Sequence, residues 1–480
     1  MEEHYTPGVH IEHVLTEPKR EFRTGAPVFL GLIRQEDLAL HNSLQDVDDE
    51  KFIVRPIPGF PGMFVARKKG YLQLPERPRD PRSDSLMAVP QSYLQAARPY
   101  RAPSERNLES IHASAGAAGQ PDSGAGEAVG KTLSFSLKPQ RFTVWPQFEA
   151  TYGSISHAGF LTYAVRGFFE NRGALCYVQL IQYSGDKRRA IIAGLETLAI
   201  SSDYDLVCVP DIMWGVDLAD AGAVSFVGEM QRAVIQHCQR LGDRFAILDS
   251  APAANTDDVI RQRRELGGEA AALYYPWLRV DQGPTTTGGY IPPSGHVAGV
   301  YARTDATIGV YKAPANETME GARDLAVAVT DDQQAELNPQ GVNCIRAFPR
   351  RGIRIWGART LSSSVAWRYI NVRRIFITAA RWIERNMMDV VFEPNTPDLW
   401  PRIERDLTYY FSDLLQQGAL AGSSAQEAFY VKCDAETNPP ELRDLGMVVT
   451  EIGLAPAAPA EFIVVRIMHG LTGARIIGPS

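Results

Sequence analysis

From Trp145 onward, short apolar runs alternate with stretches whose apolar residues recur every three to four positions. The second pattern predicts helices at 158–170, 188–200, 223–241 and 257–265. Between them the runs at 174–181, 205–209, 244–249 and 270–278 are apolar on consecutive positions, as strands buried on both faces are. Helix and strand in turn imply crossover units and a mainly parallel sheet flanked by helices, an α/β fold. Beyond Gly341 the order changes. A strand at 353–356, a long helix at 364–388, a strand at 389–392 and a helix at 398–417 precede three strands near 428–433, 447–452 and 462–468. That is an α+β domain.

Upstream, Tyr5-Thr6-Pro7-Gly8 is a turn signal and Val9-His10-Ile11-Glu12 alternates as a strand does. A second strand is predicted at Val28–Ile33. From about 40 to 140 the periodicity stops. Pro56, Pro58 and Pro61 punctuate this region, and 16 of the 30 residues in 101–130 are Ala, Gly or Ser, the composition of a linker or surface insertion. We therefore expect an N-terminal arm (1–26), an α/β domain (27–340) carrying that insertion, and a C-terminal domain (341–480).

Charge sharpens this division. The chain carries −7 overall. From Gly341 on there are 16 basic and 14 acidic residues, against 33 and 42 before it. Ten arginines and no lysine fall between Gly341 and Met388, with Glu384 as the sole acid. Arginine's planar fork suits fixed pairing with carboxylates and stacking on aromatics, so this block predicts permanent interfaces. On the long helix Val372, Ile375, Phe376, Ala379, Ile383 and Met387 share one side. Arg373, Arg374, Arg381 and Arg385 form a stripe on the opposite side. Nucleic acid is a poor partner, because lysines are absent there and the acidic body repels phosphate. Five dispersed cysteines without a C-x-x-C pair predict buried reduced thiols, and no apolar run reaches membrane-spanning length. The N-terminal residues lack the basic and apolar regions of a secretory signal, so folding in a reducing cytosol is expected.

Several fragments invite catalytic readings. Ala125–Thr132 approximates a phosphate loop, but no strand feeds it, no helix leaves it, and its first glycine is missing. Ser294, His296 and Asp305 fall within a dozen residues of one Pro/Gly-rich loop, whereas hydrolase triads assemble from distant segments. Asp203, Asp205 and Asp211 flank a strand end, where α/β enzymes place ligands; aspartates are equally common turn residues. His10 and His13 have no carboxylate or cysteine set beside them to complete a metal site. No catalytic group, cofactor or metal is expected.

Many short stretches resemble the contractile tail sheath proteins of phages and of phage-tail-like injection systems. They include Tyr5–Glu12, Trp145–Glu149, Gly167–Gly173, Arg244–Asp249, Tyr274–Trp277 and Pro292–Asp305. The most specific lie near the C-terminus: Leu337–Asn343, Trp356–Leu361, Trp367–Arg374, Phe392–Asn395, Ala428–Asp434 and Pro459–Phe462. The stretch from about 40 to 140 has no counterpart in that pattern. The resemblance implies a structural subunit that polymerises helically around an inner tube, in a particle assembled in the cytoplasm with baseplate and terminal cap proteins. It implies strand exchange between copies through Val9, Ile11 and Glu12 at one end and Phe462, Val464 and Arg466 at the other. It makes the arginine stripe a candidate tube-facing or inter-domain surface, and it implies neither nucleic-acid binding nor membrane insertion.

Overall fold

The computed structural model describes residues 23–34, 139–152, 159–183, 185–387, 390, 393–444 and 447–461, with the strand backbones at 52–56, 63–68, 89–90, 466–470 and 473–477. Residues 1–35 with 135–480 form one compact unit and 36–134 another. The described part of the smaller unit is an antiparallel sheet, with strand β3 (Met63–Lys68) between β2 (Phe52–Pro56) and β4 (Val89–Pro90).

The main unit is organised by an eight-stranded sheet. Its strands are β1 (Pro27–Arg34), β5 (Gln140–Phe142), β6 (Cys176–Tyr183), β7 (Leu206–Cys208), β8 (Phe245–Asp249), β9 (Ala271–Tyr275), β13 (Val342–Phe348) and β14 (Gly352–Trp356). They lie in the order β14-β13-β9-β8-β7-β1-β6-β5. The six inner strands are parallel, and β5 and β14 close the edges antiparallel. Every residue of β7, β8 and β9 is buried, which accounts for their unbroken apolar runs. Between β9 and β13, β10 (Leu278–Val280), β11 (Tyr290–Ile291) and β12 (Ala322–Leu325) form a small antiparallel sheet.

Helices cover both faces of the large sheet. They are α1 (Trp145–Tyr152), α2 (Leu161–Glu170), α3 (Lys187–Leu198), α4 (Ala221–Leu241), α5 (Thr256–Arg264), α6 (Ser294–Thr307) and α7 (Asp331–Leu337). The alternation of β1 assigns the sides: Leu30 meets Gly194 of α3, and its neighbour Gly31 meets Leu161 of α2. Residues 292–305, read as a loop because of their prolines and glycines, are mostly helix α6. The glycines serve close packing instead, since a Cβ on Gly295 would lie 2.2 Å from the Ala164 carbonyl oxygen and one on Gly299 2.6 Å from that of Phe168.

The boundary expected at 340/341 runs through this sheet, because β13 and β14 belong to it. Past β14, Thr360 holds a loop by donating its hydroxyl to the Trp367 carbonyl and its amide to the Arg368 carbonyl. That loop delays the long helix from the expected 364 to α8 (Ile370–Asn386). Helix α9 (Leu399–Gln416) packs on it through Trp382, stacked on Tyr410 at 4.0 Å, and through a core that includes Leu407 and Phe411. Strands β15 (Phe429–Lys432) and β16 (Glu451–Leu454) pair antiparallel beside that core. β17 (Arg466–Gly470) pairs with β18 (Gly473–Ile477) as a hairpin. The strand expected at 389–392 falls almost wholly outside the described residues.

A buried arginine clasp as candidate functional site

Helix α8 is rich in β-branched residues (Ile370, Val372, Ile375, Ile377, Thr378), which favour helix weakly, and no side chain caps its start. Packing on two sides holds it. One side joins the α9 core; the other carries arginines into the body of the sheet. Arg374, 2% exposed, donates two bonds to Asp305 (2.8 and 2.6 Å) and one to Asp205 (3.0 Å), and lies over the Tyr301 ring. Arg381, also 2% exposed, donates to the carbonyls of Tyr204 (2.8 Å) and Asp243 (3.2 Å). Arg244 is equally buried, pairs with Asp243 at 2.6 Å and reaches the Leu198 and Ser201 carbonyls.

Three guanidinium groups thus meet three carboxylates, and the buried charge balances. Burial alone would lower Arg374's pKa, but Asp305 and Asp205 outweigh it and leave the pKa raised. Asp205 also accepts the amides of Gly25 (3.0 Å) and Ala26 (2.8 Å), so the segment entering β1 is tied to the same cluster. All these residues precede β1, β7 or β8, or lie on α6 and α8. The cluster therefore sits at the N-terminal edge of the parallel strands. Open α/β sheets bind ligands at the opposite edge.

The stripe expected along α8 is resolved residue by residue. Arg374 and Arg381 are inside the chain, with no surface to offer a tube. Arg373 is half-buried over Trp367 at 5.2 Å, and exposed Arg385 donates to the Ser202 carbonyl at 3.0 Å. Outside α8, Arg359 forks onto Glu461 and ties β14's exit to the end of the described C-terminal segment. Sequence reading marked the arginines but missed Asp205's and Asp305's part in holding them.

The other candidates do not converge. Asp203 accepts from Ser201 on the surface. Asp205 precedes β7 and Asp211 follows it, so they lie at opposite ends of that strand. Asp211 accepts the amides of Leu32 (2.7 Å), Phe160 (2.6 Å) and Leu161 (3.0 Å), and Phe160 packs between Trp214 and Trp277. Ser294 and Asp305 are eleven residues apart on one helix, about 16 Å along its axis, too far for a triad. All five cysteines are free and buried. Val9, His10, Ile11, Glu12, His13, the Ala125–Thr132 loop, Phe462 and Val464 lie outside the described residues; Arg466 pairs with Ile477 in the β17–β18 hairpin.

Comparison with known proteins bears on both sides of the clasp. Residues 187–361 match the model of the phage tail sheath protein central domain, and residues 362–468 that of the phage tail sheath C-terminal domain. Asp205, Asp243 and Asp305 fall in the first, and Arg374, Arg381 and Arg385 in the second. The tail sheath protein of Salmonella phage ViI is 27% identical over 206 residues, covering 42% of this chain and 32% of that one. That of Burkholderia phage BcepMu is 27% identical over 170 residues, covering 32% and 34%. The chain thus spans about a third of the length of these two relatives. Among solved structures, a chain of the anti-feeding prophage (AFP) baseplate is 30% identical with a TM-score of 0.60, over 74% of this chain and 99% of that one. A chain of the AFP helical sheath in the contracted state is 32% identical with a TM-score of 0.58, over 70% and 90%. One from the PVC sheath complex of an extracellular contractile injection system, also contracted, is 28% identical with a TM-score of 0.59, over 74% and 99%. A protein with this fold, matched to both sheath domains and across nearly the whole of a solved relative, belongs to the contractile tail sheath family.

Proposed function

We propose that this chain is the structural subunit of a contractile sheath. Copies polymerise helically around an inner tube, anchored by a baseplate and closed by a cap, and drive the tube through a target envelope when the array shortens. Assembly takes place in the cytoplasm. No step of this requires catalysis by the chain; the work comes from passage of a metastable array to a better-packed one.

One observation carries the reading of how copies join. Among the described residues, β15 and β16 form a two-stranded sheet with neither outer edge paired over 429–432 and 451–454. A two-stranded ribbon is marginal alone, and an open edge is a template for a further strand. Strands from neighbouring copies, through Val9–Glu12 at one end and Phe462–Arg466 at the other, would complete it by β-augmentation. Such a head-to-tail contact does not close on itself and propagates a lattice. The clasp fits this role: it holds the two sheath domains of one copy together while the strands between copies serve as hinges. Half-buried Arg373 and exposed Arg385 on α8 remain the stripe's candidates for a contact outside the copy.

Negative-stain microscopy of the purified chain, and of a variant without its first twenty residues, tests the reading. Tubes or stacked rings are expected from the first, and folded but dispersed material from the second. Dispersed full-length protein, even with its tube partner added, refutes the sheath assignment; normal tubes from the shortened chain refute strand exchange by the arm.

A further inference from the structure

His296 is a buried polar ring that makes no hydrogen bond among the described residues. It lies in the first turn of α6, 1% exposed, against Gly167 of α2; a Cβ on that glycine would stand 2.2 Å from the ring's Nδ1. Among the described residues, neither ring nitrogen has a hydrogen-bond partner. A small cavity of about 120 Å³ adjoins it. The charged and titratable groups around that space are Tyr163, Arg166 and Glu170 on α2, Asp281 after β10, and Arg323 on β12. Most are already engaged. Arg166 pairs with Glu170 Oε1 at 2.8 Å and Arg323 with Asp281 at 2.6 Å, leaving Glu170 Oε2 facing His296 Nε2 at 3.9 Å.

A buried imidazole without partners is tolerated while neutral, as a flat, largely apolar plate between two close helices. It is not tolerated when charged, because a cation there has lost its water and gains only one distant, solvent-shared carboxylate. We propose that the α2–α6 seam is an acid-sensitive joint: a proton taken up by His296 drives the ring off Gly167 toward Glu170 and opens the seam. The same helix carries Asp305, which holds Arg374 of α8, so the joint adjoins the contact between the two sheath domains. This use of the clasp rests on the sheath reading; the acid sensitivity of the seam does not, and its test reads the single chain whether or not it polymerises.

The ring's environment sets the pH range. Burial first, and Arg166 second, lower its pKa from 6.5 to about 4. For a base whose folded value is depressed, stability is full at pH 7 and above, and falls as pH drops below the unfolded value. Linkage with these two values gives about a 20-fold loss in the closed-to-open ratio between pH 7 and pH 5.

The experiment is amide hydrogen exchange of the full chain at pH 7 and pH 5, corrected for intrinsic exchange, in the wild type and in His296→Leu. Asp211 and Asp249 also titrate across this range, but they are common to both chains and cancel. We expect α2 and α6 of the wild type to lose about 20-fold more protection than those of the variant. Equal losses overturn the proposal. Should His296→Leu not fold, Glu170→Gln serves. It removes the carboxylate that receives the charged ring as the seam opens, so the acid loss should shrink; an unchanged pH response overturns the proposal.

Discussion

The two ends of the parallel sheet bury carboxylates in opposite ways. At the N-terminal edge Asp205, Asp243 and Asp305 face guanidinium groups, and two of the three guanidinium groups arrive from α8, in the other sheath domain. At the C-terminal edge Asp211 and Asp249 face no guanidinium group among the described residues and accept main-chain amides instead. Asp211 caps the start of α2, and Asp249 accepts the amide of Ser294 at 2.7 Å at the start of α6. Burial raises Asp211 to about 6 and Asp249 to about 7, against the pull of those amide bonds. One edge is a permanent ion-paired junction between domains. The other pins helices within a domain, with acids whose pKa values burial lifts to about 6 and about 7. Ion pairing from outside the sheet, not burial itself, distinguishes the two edges.

The largest expected effect breaks the first edge. Arg374→Met removes the cation shared by Asp205 and Asp305 and leaves both carboxylates buried, which should cost about 3–5 kcal/mol in denaturant unfolding. Replacing all three residues with apolar ones of similar volume should recover most of that loss, since the penalty lies in the orphaned charge. A single variant as stable as the wild type would show that the clasp contributes nothing to the domain junction.

Substitutions at the second edge should be milder and should separate its two acids. Asp211→Asn keeps one acceptor oxygen where three amides converge and turns a donor toward one of them, costing about 1–3 kcal/mol. Asp249→Asn retains the single acceptor that Ser294 uses, so little is lost at pH 5. Asp249's folded pKa lies above the unfolded one; its contribution is therefore complete below the unfolded value and is lost as pH rises through about 7. The stability difference should consequently move in favour of Asp249→Asn from pH 5 to pH 8, by on the order of 2 kcal/mol. A difference that moves the other way would show the carboxylate to be stabilised as an anion there.

The contrast also explains what could be read from the chain. Apolar runs gave away the strands and the 3.6-residue period the helices, because both reflect burial of local neighbours. The absence of lysine gave away a fixed interface. Its direction was hidden, since arginines on an amphipathic helix are ordinarily solvent-facing and their partners here are 169 and 69 residues away. Asp211 reads as a turn residue but lies in a short 3-10 helix, and that it gathers amides from β1 and α2 depends on chain segments 50 and 179 residues distant. Helix α6 was obscured for the converse reason. Its glycines look like loop residues until the tight contact with α2 supplies their purpose.

The smallest expected effect tests whether the clasp acts through geometry or through total charge. Arg385 continues the stripe one turn beyond Arg381 but is exposed, and its bond to the Ser202 carbonyl lies in water's reach. In high dielectric such a contact is worth little, so Arg385→Ala should change stability by no more than about 0.5 kcal/mol. Arg374 and Arg385 carry the same charge on the same helix, and what separates them is desolvation. If Arg385→Ala were as damaging as Arg374→Met, and both losses shrank in molar salt, the junction would be a diffuse attraction between a basic helix and an acidic body. If Arg385→Ala is near neutral and Arg374→Met is costly at any salt concentration, the junction is a set of buried, oriented bonds, because screening reaches exposed charges and leaves desolvated pairs almost untouched.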